Sequence, residues 1–449
     1  MLPKFPHRVC WALLALSLLI PWLAACGGGA PTTESTNSRG FELVSGRLPI
    51  DATAAPAATA PVLAAAAAPV LAAAAAPAPT AAPAGEVSGL VVQPIQPQQQ
   101  LEPLRAGEVD DNLDFAAYQN YLAGYFEGGV AKIDVTERLI ITVVNEQQQP
   151  VINANVAVFA GDTPVFEALT YAGGRTIMFP RALGLSDNQR ELRVVISKGQ
   201  ATATGQLIRG EGEEATFVLG GVQAAPAVLK LDVLFLLDAT GSMGDEISNI
   251  QATIRDIAGR IDQFSPRPEL RFGLVSYRDR GDAYVTNLDA NFTSDVEAFR
   301  TALMQVRADG GGDSPEDLNS ALVLATQQMS WSEDAVRLIF LVADAPAHMD
   351  YGQEFTYVNA IREATKRGLK FYPIAASNTD SVAEYQMRQL AQQTMGSFIF
   401  LTYQEGQNAG TPGDTTTMNV EPGQFTVDRL DDLVVLVIQR ELRLAIGVQ

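Results

Sequence analysis

Histidine and cysteine are nearly missing from this chain of 449 residues, with two of each, His7, His348, Cys10 and Cys26. His7 and Cys10 fall in an N-terminal segment that reads as removable, and Cys26 stands at its end. What is left excludes a disulfide framework, a Cys/His zinc site, a thiolate nucleophile and an iron–sulfur cluster, and a histidine-dependent triad would have to use His348. Basic charge is also scarce, with 31 Lys and Arg against 51 Asp and Glu and a formal net charge of −20. Such a chain repels phosphate backbones, and no basic patch with interleaved aromatics offsets this, so nucleic acid is not an expected partner. A full-length apolar span is missing too. The run "VCWALLALSLLIPWL" is shorter than the ~20 residues a membrane span prefers, and Pro21 interrupts it.

What is present begins with Lys4, His7 and Arg8 ahead of that run and small residues behind it, the layout of a secretory signal over residues 1–25. Leu23-Ala24-Ala25-Cys26 resembles the bacterial lipoprotein lipobox. The resemblance implies cleavage before Cys26, lipidation of its thiol, and an extracytoplasmic chain anchored to the bacterial cell membrane or cell surface. An uncleaved transmembrane anchor is the alternative. Residues 26–87 are Ala- and Pro-rich, with "PVLAAAAA" twice in succession, and read as a disordered tether because five-alanine runs between prolines cannot hold a helix alone.

Residues 88–136 form a short helical or irregular segment, with Phe115, Tyr118, Tyr121, Leu122 and Tyr125 at helical spacing. The acids Asp110, Asp111 and Asp114 suit a helix N-terminus. Over 137–220 the period changes to two, and short strands between turn signals predict a small β-sandwich. "NEQQQPVINANVAVF" followed by "TYAGGRTIMFP" resembles bacterial Ig-like and carboxypeptidase-regulatory-like modules, and a stalk or spacer role is expected. Over 228–449 apolar strands alternate with helical patterns, such as the face made by Ile247, Ile250, Ile254, Ile257 and Ile261. The fold class is therefore α/β, a doubly wound and mostly parallel sheet, preceded by the sandwich and the tether. Ligands of such sheets bind at the carboxyl ends of the strands.

Oxygen-bearing side chains collect at those ends. Asp238, Thr240 and Ser242 alternate along the turn after "LDVLFLL". Asp313 and Glu316 stand in a glycine-rich loop, and Asp344 ends "VRLIFLVA". Oxygen-only ligands suit a hard cation, Mg2+ or else Ca2+ or Mn2+. Each residue taken singly also reads as a helix cap or a first-turn acid.

Together, in this order, these residues resemble the von Willebrand factor A family. Asp238-Ala-Thr240-Gly-Ser242 matches its metal-ion-dependent adhesion site, Asp-x-Ser-x-Ser, with Thr at the middle position, and Asp344 matches its third-loop aspartate. Asp313-Ser-Pro315-Glu316 resembles the integrin β-subunit branch, in which the glutamate binds the ion, and Asp245 with Glu246 matches an adjacent metal site there. Gly311 stands where that branch has an asparagine, so no third ion is expected. The resemblance implies a surface-anchored lipoprotein that binds a divalent cation and captures a carboxylate of a protein partner, in adhesion or in envelope protein assembly. A metal-independent structural scaffold is the alternative. Enzymatic hydrolysis is not expected, since His348 is the only histidine in reach of the loops. Arg280-Gly281-Asp282 reads as turn chemistry.

Overall fold

The computed structural model describes residues 103–448, apart from 227, 313, 406–410, 421, 422 and the side chain of 245. The signal segment, Cys26, the tether and Asp313 lie outside the described residues.

The described chain opens with strand β1 (Arg105–Val109) and helix α1 (Phe115–Gly124), which Asp114 caps by accepting from the Ala117 amide. Seven strands follow: β2 (Leu139–Val144), β3 (Asn155–Ala160), β4 (Thr163–Leu169), β5 (Arg175–Met178), β6 (Glu191–Lys198), β7 (Ala201–Ile208) and β8 (Glu214–Val218). They make two sheets, β5-β2-β8 and β4-β3-β6-β7. Two-residue hairpins at Gly161 and Gly199, both at positive φ, join β3 to β4 and β6 to β7. Inward residues of both sheets, among them Ile141, Val143, Val156, Val158, Val194 and Ile196, share one core, so this part is a sandwich.

The second half alternates strands and helices: β9 (Lys230–Asp238), α2 (Ile247–Ile261), β10 (Glu269–Tyr277), β11 (Thr286–Thr293), α3 (Val296–Leu303), α4 (Leu318–Val323), β12 (Ala335–Ala343), α5 (Tyr357–Arg367), β13 (Leu369–Ala375), α6 (Ser381–Gln393), β14 (Phe398–Thr402), β15 (Val427–Arg429) and α7 (Leu430–Ala445). The sheet runs β11-β10-β9-β12-β13-β14-β1-β15. Strands β10, β9, β12, β13 and β14 are parallel, and β11 is an antiparallel edge. Every residue of β12, β13 and β14 is buried, because helices cover both faces. Alternate residues of β9 divide between the two layers. Leu231, Val233, Phe235 and Leu237 pack in the core that includes residues of α2, α3 and α7, whereas Leu234 and Leu236 pack in the one that includes residues of α4, α5 and α6.

Two features depart from the domain order expected above. The sheet of the second half takes its seventh strand from Arg105–Val109, inside the segment assigned to irregular structure. Five residues containing a glycine and two charges carry no strand periodicity. Gly107 is required there because a Cβ would lie 2.6 Å from the Phe400 ring and 2.8 Å from that of Phe425. In addition, the sandwich does not separate the N-terminal segment from the α/β sheet. It packs at the amino end of β12, where Asn153 Nδ2 donates to the Ala335 carbonyl (3.0 Å), Arg337 donates to Asn153 Oδ1 (3.0 Å), and Lys198 meets Asp334 (2.8 Å). Meanwhile Arg105 pairs with Thr402, at the carboxyl end of β14. A spacer role for the sandwich does not fit this arrangement.

Candidate functional site

The carboxyl ends of β9, β10 and β12 meet the loop before α4. Asp238 is the last residue of β9, and its Oδ1 accepts from the Thr240 amide (2.9 Å) and the Thr240 hydroxyl (2.6 Å). Its Oδ2 accepts from the Tyr277 hydroxyl (3.2 Å) at the end of β10. The Thr240 and Ser242 hydroxyls lie 3.2 Å apart, and Ser242 donates to Asp344 Oδ1 (3.1 Å). Asp238, Thr240, Ser242 and Asp344 thus form one continuous chain of oxygens.

Glu316 comes to the same place by backbone pairing. Its amide donates to the Pro346 carbonyl (2.9 Å), and the His348 amide donates to the Glu316 carbonyl (3.1 Å), which zips the loop before α4 onto the loop after β12. A Cβ built on Gly311 would lie 2.7 Å from both Glu316 Oε1 and Thr240 Cβ, so the glutamate side chain and the first loop flank that glycine closely. Glu316 Oε2 is buried and has no hydrogen-bond partner.

The three carboxyl groups are out of water, with Asp238 0 %, Glu316 2 % and Asp344 7 % exposed. Burial, and next the charge of Asp344, pushes Asp238 up to about 7 against the hydrogen bonds from Thr240 and Tyr277. Burial and the charges of Asp238, Asp279, Asp282 and Asp344 push Glu316 up to about 9. Burial also raises Asp344, against its bond from Ser242. Among the described residues no Lys, Arg or His side chain forms an ion pair with any of the three, and burial with mutual repulsion favours their protonated forms.

A hard cation fits the donor types, all of them carboxylate or hydroxyl oxygens, and it would give the orphaned Glu316 oxygen a partner. Among the described residues no three His, Cys, Asp or Glu side chains are grouped so as to hold an ion. The hydroxyls of Thr240 and Ser242 stand between Asp238 and Asp344 as further neutral oxygens.

The remaining expected residues divide. Asp313 and the side chain of Asp245 lie outside what is described. Glu246 is engaged elsewhere: its buried carboxylate accepts from the Ser377 amide (3.0 Å), the Ser377 hydroxyl and the Tyr403 hydroxyl (2.7 Å). These three donors tie the first loop, through Glu246, to the ends of β13 and β14.

Sequence reasoning missed the fourth loop, which follows β10. Arg278 is buried and donates to the carbonyls of Ala239 (3.0 Å) and Arg307 (2.8 Å), and Asp282 Oδ2 accepts from the Gly311 amide (2.9 Å). Arg280 pairs with Asp317 (3.1 Å) and covers the Tyr351 ring at 3.9 Å. The Arg280-Gly281-Asp282 tripeptide is thus consumed in bracing loops, with Gly281 at φ +100. The signal was the density of charge in "SYRDRGD" directly after a buried strand. His348 is buried, stacks on Tyr351 (3.6 Å, 13°), and holds Asp350 through Nδ1 (2.7 Å).

Residues 232–405, from the start of β9 to just past β14, match a family model described as von Willebrand factor A domain. This segment is a von Willebrand factor A domain. The match leaves out β1, β15 and α7, which complete the A domain's sheet and one of its helical layers in this chain. Relatives include the alpha-protein kinase vwkA of Dictyostelium discoideum, 28% identical over 141 residues, which cover 31% of this chain and 22% of that protein. The von Willebrand factor A domain-containing protein 7 of Rattus norvegicus is 41% identical over 91 residues, 20% of this chain and 10% of that protein. The chain thus spans about a fifth of the length of the first relative and a tenth of the second. Among solved structures, the conserved hypothetical protein BatB from Bacteroides thetaiotaomicron aligns with a TM-score of 0.32 at 14% identity, covering 47% of this chain and 99% of that chain. A domains of this family generally mediate protein–protein interaction.

Proposed function

We propose that this chain is a lipoprotein anchored outside the cytoplasm through Cys26, and that its A domain binds a protein partner by gripping one of the partner's carboxylates across a divalent cation. Asp238, Thr240, Ser242, Glu316 and Asp344, together with Asp313, would hold the cation, Mg2+ or else Ca2+ or Mn2+. The observation that supports this most is the buried, unpartnered Glu316 oxygen beside Asp238 and Asp344. When bound, the cation supplies a positive charge that can take an acidic side chain from a partner as one more oxygen ligand. The chain's own residues do the rest. Tyr277 and Thr240 hold the Asp238 carboxylate, Ser242 orients Asp344, and the paired loops fix the glutamate carbonyl and amide. The role is adhesion or envelope protein assembly. No described helix is long and apolar enough to cross a membrane, and Cys26 would supply the anchor.

The chain is read as a binding protein with no catalytic activity. The kinase in vwkA's name belongs to a protein of which this chain spans 22%. His348, the one described histidine, holds Asp350 through Nδ1 and stacks on Tyr351, and its buried Nε2 has no hydrogen-bond partner.

A pull-down from the native envelope, with and without chelator, tests the reading. Partner capture should disappear in chelator and in Asp238→Ala. A metal-independent scaffold is the second reading, and the hydrogen bonds that Thr240 donates to Asp238 and Ser242 donates to Asp344 favour it. Capture that persists unchanged in chelator would establish the scaffold instead.

A further inference from the structure

We propose that the cleft between the sandwich and α5 binds an amphipathic monoanion, a carboxylate carried on one long apolar tail. The cleft has a volume of about 540 Å³, inside the roughly 300–1,000 Å³ of small-molecule sites. Phe166, Ile177, Phe179 and Leu183 of the sandwich face Val358 and Ile361 of α5 across it. These side chains make an apolar interior that neither domain closes.

Its rim is cationic, in a chain whose formal net charge is −20. Four basic side chains, Lys132, Arg181, Arg362 and Lys366, border the cleft against two acids, Asp134 and Glu167. Both acids are occupied: Asp134 accepts from the amide (3.0 Å) and hydroxyl of Thr136, and Glu167 accepts from Asn155 (3.2 Å). Arg181 is shared with Glu137 (3.8 Å) and Asp187 (3.5 Å). Arg362 and Lys366, four residues apart on α5, present two charges on one helix face and have no ion-pair partner among the described residues. Gln393 borders the same cleft, and its buried amide nitrogen has no acceptor.

Head and tail are both needed to satisfy this lining. A small anion would leave the aromatic walls in water, and an uncharged tail would forgo the attraction of the two exposed charges, Arg362 and Lys366. A single carboxylate at the rim, with its tail over Phe166 and Phe179, answers both demands and can give Gln393 an acceptor after a side-chain rotation. This site shares no residue with the loops around Asp238, so it stands independently of the cation.

Equilibrium dialysis of the full chain against radiolabelled dodecanoate tests the proposal, with dodecanol, acetate and phosphatidylglycerol vesicles as comparisons. Dodecanoate should bind saturably at one per chain, and acetate should not compete. The exposed pair Arg362→Glu and Lys366→Glu should weaken dodecanoate roughly tenfold or more, the loss expected when charged hydrogen bonds are removed. Its melting temperature and its binding of dodecanol should stay unchanged. Phe166→Asp should weaken dodecanoate and dodecanol together. Absence of saturable binding, equal binding by the charge-reversed pair, loss of binding in chelator, or binding to vesicles alone would each overturn it.

Discussion

Thr240 and Glu316 both crowd the face of Gly311 on which a side chain would stand: a Cβ there would lie 2.7 Å from Thr240 Cβ and 2.7 Å from Glu316 Oε1. Gly311 also sits at φ +64, where an alanine is strained. Gly311→Ala should therefore cost about 1–3 kcal/mol of stability, measured by urea denaturation. It should also lower Mg2+ affinity by calorimetry, because the glutamate and the threonine would be pushed apart.

The raised carboxyl groups give the metal-free chain a definite dependence on pH. Asp238 is pushed up to about 7 and Glu316 to about 9, both above their ordinary values of 3.8 and 4.5. The folded state thus holds protons that the unfolded state has released, so this contribution is complete below about pH 4 and fades as pH rises through 7 and then 9. Denaturation midpoints in chelator should fall from pH 5 to pH 9. Excess Mg2+ should flatten or reverse the trend, and Asp238→Asn with Glu316→Gln should abolish it.

Arg388 joins α6 to the segment after β1. Its buried guanidinium donates to both oxygens of Asp111 (2.5 and 2.9 Å) and to Glu384 (3.2 Å), and it covers the Tyr121 ring at 3.9 Å. Burial raises both acids, so removing the arginine leaves two buried carboxyl groups without their cation. Arg388→Met should cost about 3–5 kcal/mol. The double variant with Asp111→Leu should lose less than the sum of the two single losses in a double-mutant cycle.

Phe235 lies at the centre of the A domain's sheet, 1 % exposed, with Phe340, Phe299 and Phe272 at 5.7, 6.1 and 6.3 Å. Phe235→Ala should lose about 3–5 kcal/mol, read as a lower urea midpoint, because the surrounding strands cannot close on the cavity.

The parallel strands were legible because their burial on both faces writes continuous apolar runs, and α2 because five isoleucines keep the helical period. Asp238, Thr240, Ser242 and Asp344 were legible for a related reason: a buried run that stops at an oxygen marks a strand end. Strand β1 was not, since its pairing with β14 is set by Phe398 to Thr402, almost 300 residues away, and no local pattern records it. The position of Glu246 beside Ser242 says nothing of its partners Ser377 and Tyr403, which only the sheet brings near. Asp282 was read correctly as turn chemistry, yet its hold on the Gly311 amide depends on a loop 29 residues on.

The pairing of Arg105 with Thr402 fixes a direction of travel. The polypeptide reaches Leu104 on the rim that carries Asp238 and Asp344, and the sandwich weighs down the opposite pole. The chain thus enters the sheet on the side of its acidic loops and builds the sandwich only afterwards, on the other side.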